Sequence, residues 1–285
     1  MNAISAAYKE LVFGGHLLAL GTSSMAASVA ILLGNSPPWD LLLMAYLFSL
    51  GAYTINRISD FEEDRVSHPD RTSYLERRKG SLKWIAAGCF LLGYSLAFLR
   101  NLVFFGALLV PLLLALVYSV GWEKLKRPLG VTRLKEGLVV KNVAISFGWS
   151  LVPVLVGLYY IELPWVIFAL MPYVFLRLMV NTIFFDQRDV EADRSFGVKT
   201  LPGRLGIPAS TRVIDALDVC SGAYILGAAL LGAVPLFAGA FVMFTFYSFA
   251  YRRYAGTGRH KDTARDLAAD GEYLLWGVVA YIGHL

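Results

Sequence analysis

Long apolar runs alternate with short polar stretches along the whole chain. Nine runs predict helices that cross a bilayer: residues about 11–33, 38–56, 81–99, 102–122, 137–158, 163–185, 211–230, 232–251 and 270–285. A bilayer core takes about 20 mostly apolar residues in α-helix. Lipid offers backbone groups no hydrogen-bond partners, so each run is expected to be helical. No repeat of fixed period, no low-complexity tract and no long linker interrupts the series. Residues 1–285 therefore read as a single transmembrane domain. The expected fold is all-α, with nine transmembrane helices around a central cavity, open sideways to lipid and capped by loops.

The polar stretches are of two kinds. Those after runs 1, 5 and 7 hold almost no Lys or Arg, and the one after run 3 holds only Arg100. After run 2 come Arg57, Arg65, Arg71, Arg77, Arg78 and Lys79; after run 4, Lys124, Lys126, Arg127, Arg133 and Lys135. After run 6 come Arg188, Arg194, Lys199 and Arg204, and after run 8 Arg252, Arg253, Arg259, Lys261 and Arg265. Lys and Arg resist translocation, so the basic loops and the N-terminus are expected in the cytoplasm.

Composition agrees with a multi-pass membrane protein. The chain is 57% hydrophobic and 16% charged, against about 25% charged in soluble domains. The net charge of +5 then has a topological cause, and no nucleic-acid partner is expected. The opening Met1 to Glu10 carries one lysine and no cleavage pattern after a short apolar core, so no removable signal peptide is expected. Cys89 and Cys220 sit in apolar runs without metal-ligand spacing and are expected as small core residues.

Two acidic clusters mark where apolar runs end in charge. In helix, Asn56, Asp60 and Asp64 fall at i, i+4, i+8 and share a face. Asp186, Asp189 and Asp193 share a face at i, i+3, i+7. Both clusters are expected on the same membrane side. Single carboxylates at such places serve as solvated helix ends with salt bridges, but two matched clusters at inner span ends mark a site. Converging carboxylates repel and need a cation. Oxygen donors without His or Cys select Mg²⁺ or Ca²⁺ over zinc. Mg²⁺ shares its shell with substrate phosphates. Arg57, Arg188 and Lys199 are placed to hold the other phosphate oxygens. A lipid diphosphate is the natural ligand of such a site above an apolar cavity.

Asn56-x3-Asp60-x3-Asp64, followed by His68-Pro69-Asp70-Arg71, resembles the first motif of the UbiA superfamily of intramembrane prenyltransferases. Arg188 through Pro202, an Asp-x3-Asp followed by Gly-Val-Lys-Thr-Leu-Pro, resembles its second. The resemblance implies an enzyme that moves an isoprenoid chain from its diphosphate, geranylgeranyl diphosphate for example, to a hydrophobic acceptor. That acceptor is an aromatic, quinone-precursor-like ring or a lipid alcohol. The resemblance implies that Asn56 and four carboxylates, Asp60, Asp64, Asp189 and Asp193, hold Mg²⁺ and the diphosphate. Lys199 would contact the diphosphate, and Asp186 stands where related enzymes often carry Asn. The stretch from Tyr118-Ser119 to Arg133-Leu134-Lys135, with Lys141-Asn142, resembles the family's basic segment. Lys141 and Arg177 both lie inside runs; Lys141 is expected to bind substrate, and Arg177 either acts or packs. The tail after the second motif leans towards an aromatic acceptor. Many relatives carry Arg-Pro before the first span, where this chain has Tyr8-Lys9-Glu10 and His16, the latter expected as a satisfied core histidine.

Diphosphate loss leaves an allylic cation, which aromatic faces stabilise; Tyr53, Phe147, Trp149, Tyr173 and Phe175 are the candidates. A related cyclase would trap the same cation with the chain's own double bonds. A cation-coupled transporter would place its charges near the midplane on broken helices, not at one membrane face.

Overall fold

Proline or glycine stands just before several helices, as Gly15, Pro38, Pro164 and Gly206 do, while Pro111 and Pro172 lie inside helices. The structure, a computed structural model, describes residues 3–119, 139–255 and 265–285. Helices α1 (Ala3–Tyr8), α2 (His16–Leu32), α3 (Trp39–Ser59), α4 (Phe61–Ser67), α5 (Pro69–Glu76), α6 (Lys79–Arg100) and α7 (Leu102–Ser119) form the first half. The second half holds α8 (Val140–Ser150), α9 (Val152–Tyr160), α10 (Trp165–Ser195), α11 (Leu201–Leu205), α12 (Ile207–Leu230), α13 (Met243–Ala255) and α14 (Asp270–His284). π-helical turns at Lys9–Phe13 and Arg265–Ala269 and a 3-10 helix at Leu236–Val242 complete it, and no strand occurs among the described residues.

Helix occupies most of the described part of every predicted run. Five stretches are long and apolar enough to cross a membrane, or six if α2 is joined to the helix before it across a 56° bend. Run 8 divides between the 3-10 helix and α13, and α14 has only 15 residues. The basic segment 124–135, with Arg259 and Lys261, lies outside the described residues.

Helix α10 carries the second motif. Its 31 residues extend about 46 Å at 1.5 Å per residue, beyond a hydrocarbon core of about 30 Å. Apart from Arg177, its charged residues lie from Asp186 on, gathered in its C-terminal turns. It packs on α8 and α12, while α3 packs on α2 and α6, and α14 on α2. The last contact is close: a Cβ on Gly277 would sit 2.5 Å from Ser24 Oγ. The Gly277 N–H donates to that hydroxyl at 3.0 Å, and Ser24 donates to the Leu274 carbonyl at 2.7 Å. Small residues at such a seam let two membrane helices approach.

Cys89 is buried as expected, but Cys220 is exposed on α12. An apolar run in a membrane helix faces outward as well as inward, so apolar context alone does not bury a residue.

Candidate active site

A cavity of about 920 Å³ runs between α2, α3, α7, α8, α10 and α14. Both acidic clusters line its polar end: Asn56, Asp60 and Asp64, and opposite them Asp186, Asp189 and Asp193. The first cluster is not one unbroken helix. α3 ends at Ser59, and Asp60 joins it to α4. The i→i−4 backbone bonds nevertheless continue, from Asp60 N–H to Asn56 at 2.9 Å and from Asp64 N–H to Asp60 at 2.8 Å. That continuity keeps the three side chains on one face.

Each cluster is laced with cations. Arg57 donates to both oxygens of Asp64, at 3.1 and 2.8 Å, and Arg71 to the same carboxylate at 2.9 Å. Burial raises the proton affinity of Asp64, but the two guanidiniums outweigh it and hold its carboxyl below the ordinary range. Arg57 also stacks over Tyr53, 4.5 Å from the ring centre. Across the cavity, Lys141 donates to Asp186 at 2.8 Å and approaches Asp193 at 3.6 Å, while Asn142 donates to Asp186 at 2.7 Å. Arg188 donates to Asp189 at 2.9 Å. His68 Nε2 lies 3.2 Å from Asp189; burial lowers its proton affinity more than that contact restores it.

Two lining residues escaped the sequence reading. Asp266 and Asp270, at the start of the last helix, face the same cavity. Arg188 reaches Asp266 at 2.8 Å, bridging the second motif to this third element. The signal was present: Asp266-x3-Asp270 repeats the spacing of Asp189-x3-Asp193. Arg71, quoted only as part of the first motif's tail, likewise proves to grip Asp64.

Not every expected residue comes to the cavity. Lys199 is exposed and does not line it. α10 ends at Ser195, and Gly197, with φ of 73°, turns the chain in the left-handed region that glycine tolerates. Arg177 is 1% exposed and lies elsewhere, between Asp218 of α12 and Glu272 of α14. Tyr53, Phe147 and Trp149 line the cavity, whereas Phe175 does not, and Tyr173 stacks on Phe241 in the core. His16 pairs with Tyr46 at 2.5 Å and lies 3.4 Å from Glu10, outside the cavity.

The donor set suits a hard cation. Seven lining carboxylates face four lining Lys and Arg side chains, and all the acidic donors are oxygen. Asp193 Oδ2 is buried and meets no hydrogen-bond donor among the described residues. No three His, Cys, Asp or Glu among the described residues are gathered tightly enough to hold an ion; Arg57 and Arg71 pair with Asp64, Lys141 with Asp186 and Arg188 with Asp189.

Residues 19–275 match the UbiA prenyltransferase family. The chain belongs to that family. It is a multi-pass membrane prenyltransferase. The digeranylgeranylglyceryl phosphate synthase of Sulfurisphaera tokodaii is 30% identical over 207 residues, 70% of either chain. The fold matches the apo structure of a UbiA homolog from Aeropyrum pernix K1 with a TM-score of 0.67, at 16% identity over 93% of this chain and 96% of that one. It also matches a UbiA homolog from Archaeoglobus fulgidus bound to GPP and Mg2+, with a TM-score of 0.65, at 17% identity over 95% of this chain and 99% of that one.

Proposed function

We propose that this UbiA-family enzyme transfers an isoprenoid chain from a prenyl diphosphate to the hydroxyl of a lipid alcohol, with Mg²⁺ as cofactor, releasing diphosphate. The observation that carries the proposal is the convergence of both acidic motifs and Arg57, Arg71, Lys141 and Arg188 at the polar end of one otherwise apolar cavity. The relatives' name describes a product with two geranylgeranyl chains on glyceryl phosphate, which favours a lipid alcohol over the aromatic ring suggested by the second motif's tail. Geranylgeranyl diphosphate is the proposed donor.

Asp60, Asp64, Asp189 and Asp193 would hold the cation, with Asn56 and Asp186 beside them. Mg²⁺ would supply Lewis-acid stabilisation of the departing diphosphate. Arg57, Arg188 and Lys141 orient its oxygens and neutralise charge that grows as the allylic C–O bond breaks. Lys199 is proposed to meet the diphosphate only as a second, outer contact. Tyr53, Phe147 and Trp149 offer faces to the allylic cation, and the apolar walls keep water from trapping it. The acceptor oxygen then bonds to the allylic carbon and its proton passes to the released diphosphate or to water. The proposed topology has nine spans in one domain, with the motif loops and the N-terminus in the cytoplasm.

The test is purified protein with Mg²⁺ and geranylgeranyl diphosphate, with diphosphate followed over time. Release is expected to rise many-fold on adding a lipid alcohol, to stop in EDTA and to return with Mg²⁺. Asp189→Asn should lower the rate by about 100-fold or more. Rapid release without acceptor, together with a cyclic hydrocarbon, would show a cyclase instead.

A further inference from the structure

Buried side chains line the apolar end of the cavity. From Asn56, α3 leads away from the carboxylates past Tyr53, Ser49, Phe48 and Met44 to Leu41, all of them lining it. Leu41 lies fifteen residues before Asn56 on one helix, about 22 Å along the axis at about 1.5 Å per residue, with Met44 one turn above it. At that level four helices meet. Met25 of α2, Met44 of α3, Phe104 of α7 and Val156 of α9 are 0%, 1%, 2% and 2% exposed and pack in one cluster. A polar clamp backs them. Tyr159 packs edge-on against Phe104, with ring centres 5.6 Å apart. Its hydroxyl lies 2.9 Å from both oxygens of Asp40, and Arg100 sits 4.3 Å from its ring centre. Pushing this floor down would break packing and strand buried polar groups together.

We infer that this floor sets the length of the isoprenoid chain at about four units, with Met44 and Phe104 as the length-determining side chains. The inference rests on the donor proposed above. The estimate follows from covalent geometry: a peptide chain gains about 3.5 Å over three bonds, so a four-bond isoprene unit takes about 5 Å and a depth of about 22 Å holds about four. A fifth unit would have to displace Phe104, a rigid ring held between Tyr159 and the cavity. Met44 is unbranched and adaptable, so it adjusts to the end of the chain. Ala45 lines the cavity beside Met44, and a larger side chain there would raise the floor.

The experiment offers purified enzyme in lipid an equimolar mixture of diphosphates of two to six isoprene units, with acceptor, and weighs the products by mass spectrometry. The wild type should peak at four units and fall by about tenfold or more at five, since a single methylene misfit in an apolar pocket costs about tenfold or more. Met44→Ala and Phe104→Ala should raise the five-to-four product ratio by about tenfold. Ala45→Phe should shift the peak to two or three units, and this filling variant keeps the test sharp if Phe104→Ala fails to fold. Equal use of four and six units by the wild type would overturn the inference. The chain would then leave sideways, where the lining residues Leu114, Val140, Val143 and Phe147 are 39%, 39%, 42% and 47% exposed. Active variants with the wild-type length profile would overturn it equally. If the wild type turns over none of the donors with any acceptor, the transfer function itself fails and the inference falls with it.

Discussion

Arg188 stands between two carboxylates from different helices, Asp189 beside it and Asp266 before the last helix. Two anchors fix the guanidinium where one would leave it to swing. Asp266→Asn keeps the shape and removes a charge from that clamp. Outer partners of this kind are worth about 10–100-fold in ligand affinity, so the KM for donor should rise by that order with melting temperature unchanged. Unaltered KM would mean that Asp189 alone positions Arg188. Both motif clusters were legible at this scale, because i, i+4 spacing is a strong geometric statement in a helix. Asp266 sits beside a stretch marked by its positive charge and Asp270 opens an apolar run, so neither stands out as half of an acidic pair. Lys199 stands outside the cavity for a local reason: Gly197, in the left-handed region, turns the chain just before it.

Among the helices, the apolar runs located most elements but not their count. α8 and α9 follow each other across a break at Leu151, and run 8 is part 3-10 helix. Hydropathy is blind to such breaks, because either conformation buries the same side chains. The proposed orientation is testable element by element. Ser36, in the connection before α3, and Ser195, at the end of α10, are both exposed. Single cysteines at the two sites, in a background without Cys89 and Cys220, should react with an impermeant thiol reagent from opposite faces of sealed vesicles. Ser195→Cys should label only in inside-out vesicles. Labelling of both from the same face would overturn the proposed count of spans.

Across the whole molecule, four helices are tied by one buried charge network. Arg177 of α10 pairs with Glu272 of α14 and Asp218 of α12, and Arg252 of α13 reaches Asp218 at 2.8 Å and Asp215 at 2.7 Å. A run-by-run reading shows Arg177 only as an isolated charge, since its partners lie 41 and 95 residues away. Removing it leaves buried Glu272 without a counter-charge and Asp218 with Arg252 alone, so Arg177→Ala should cost about 3–5 kcal/mol and lower the melting temperature clearly. An unchanged melting curve would deny the network its structural role. The ion pairs of the cavity have a different consequence. Arg57 is already committed to Asp64, and Lys141 to Asp186. A divalent cation arriving alone would orphan the arginine, and a diphosphate arriving alone would orphan the carboxylate. Arriving together, each supplies the partner the other displaces. The two ligands are therefore thermodynamically linked, and each should tighten the other's binding by the same factor. Calorimetric titration of diphosphate at rising Mg²⁺ should show its affinity climbing with the metal; an affinity indifferent to Mg²⁺ would mean that the pairs do not exchange.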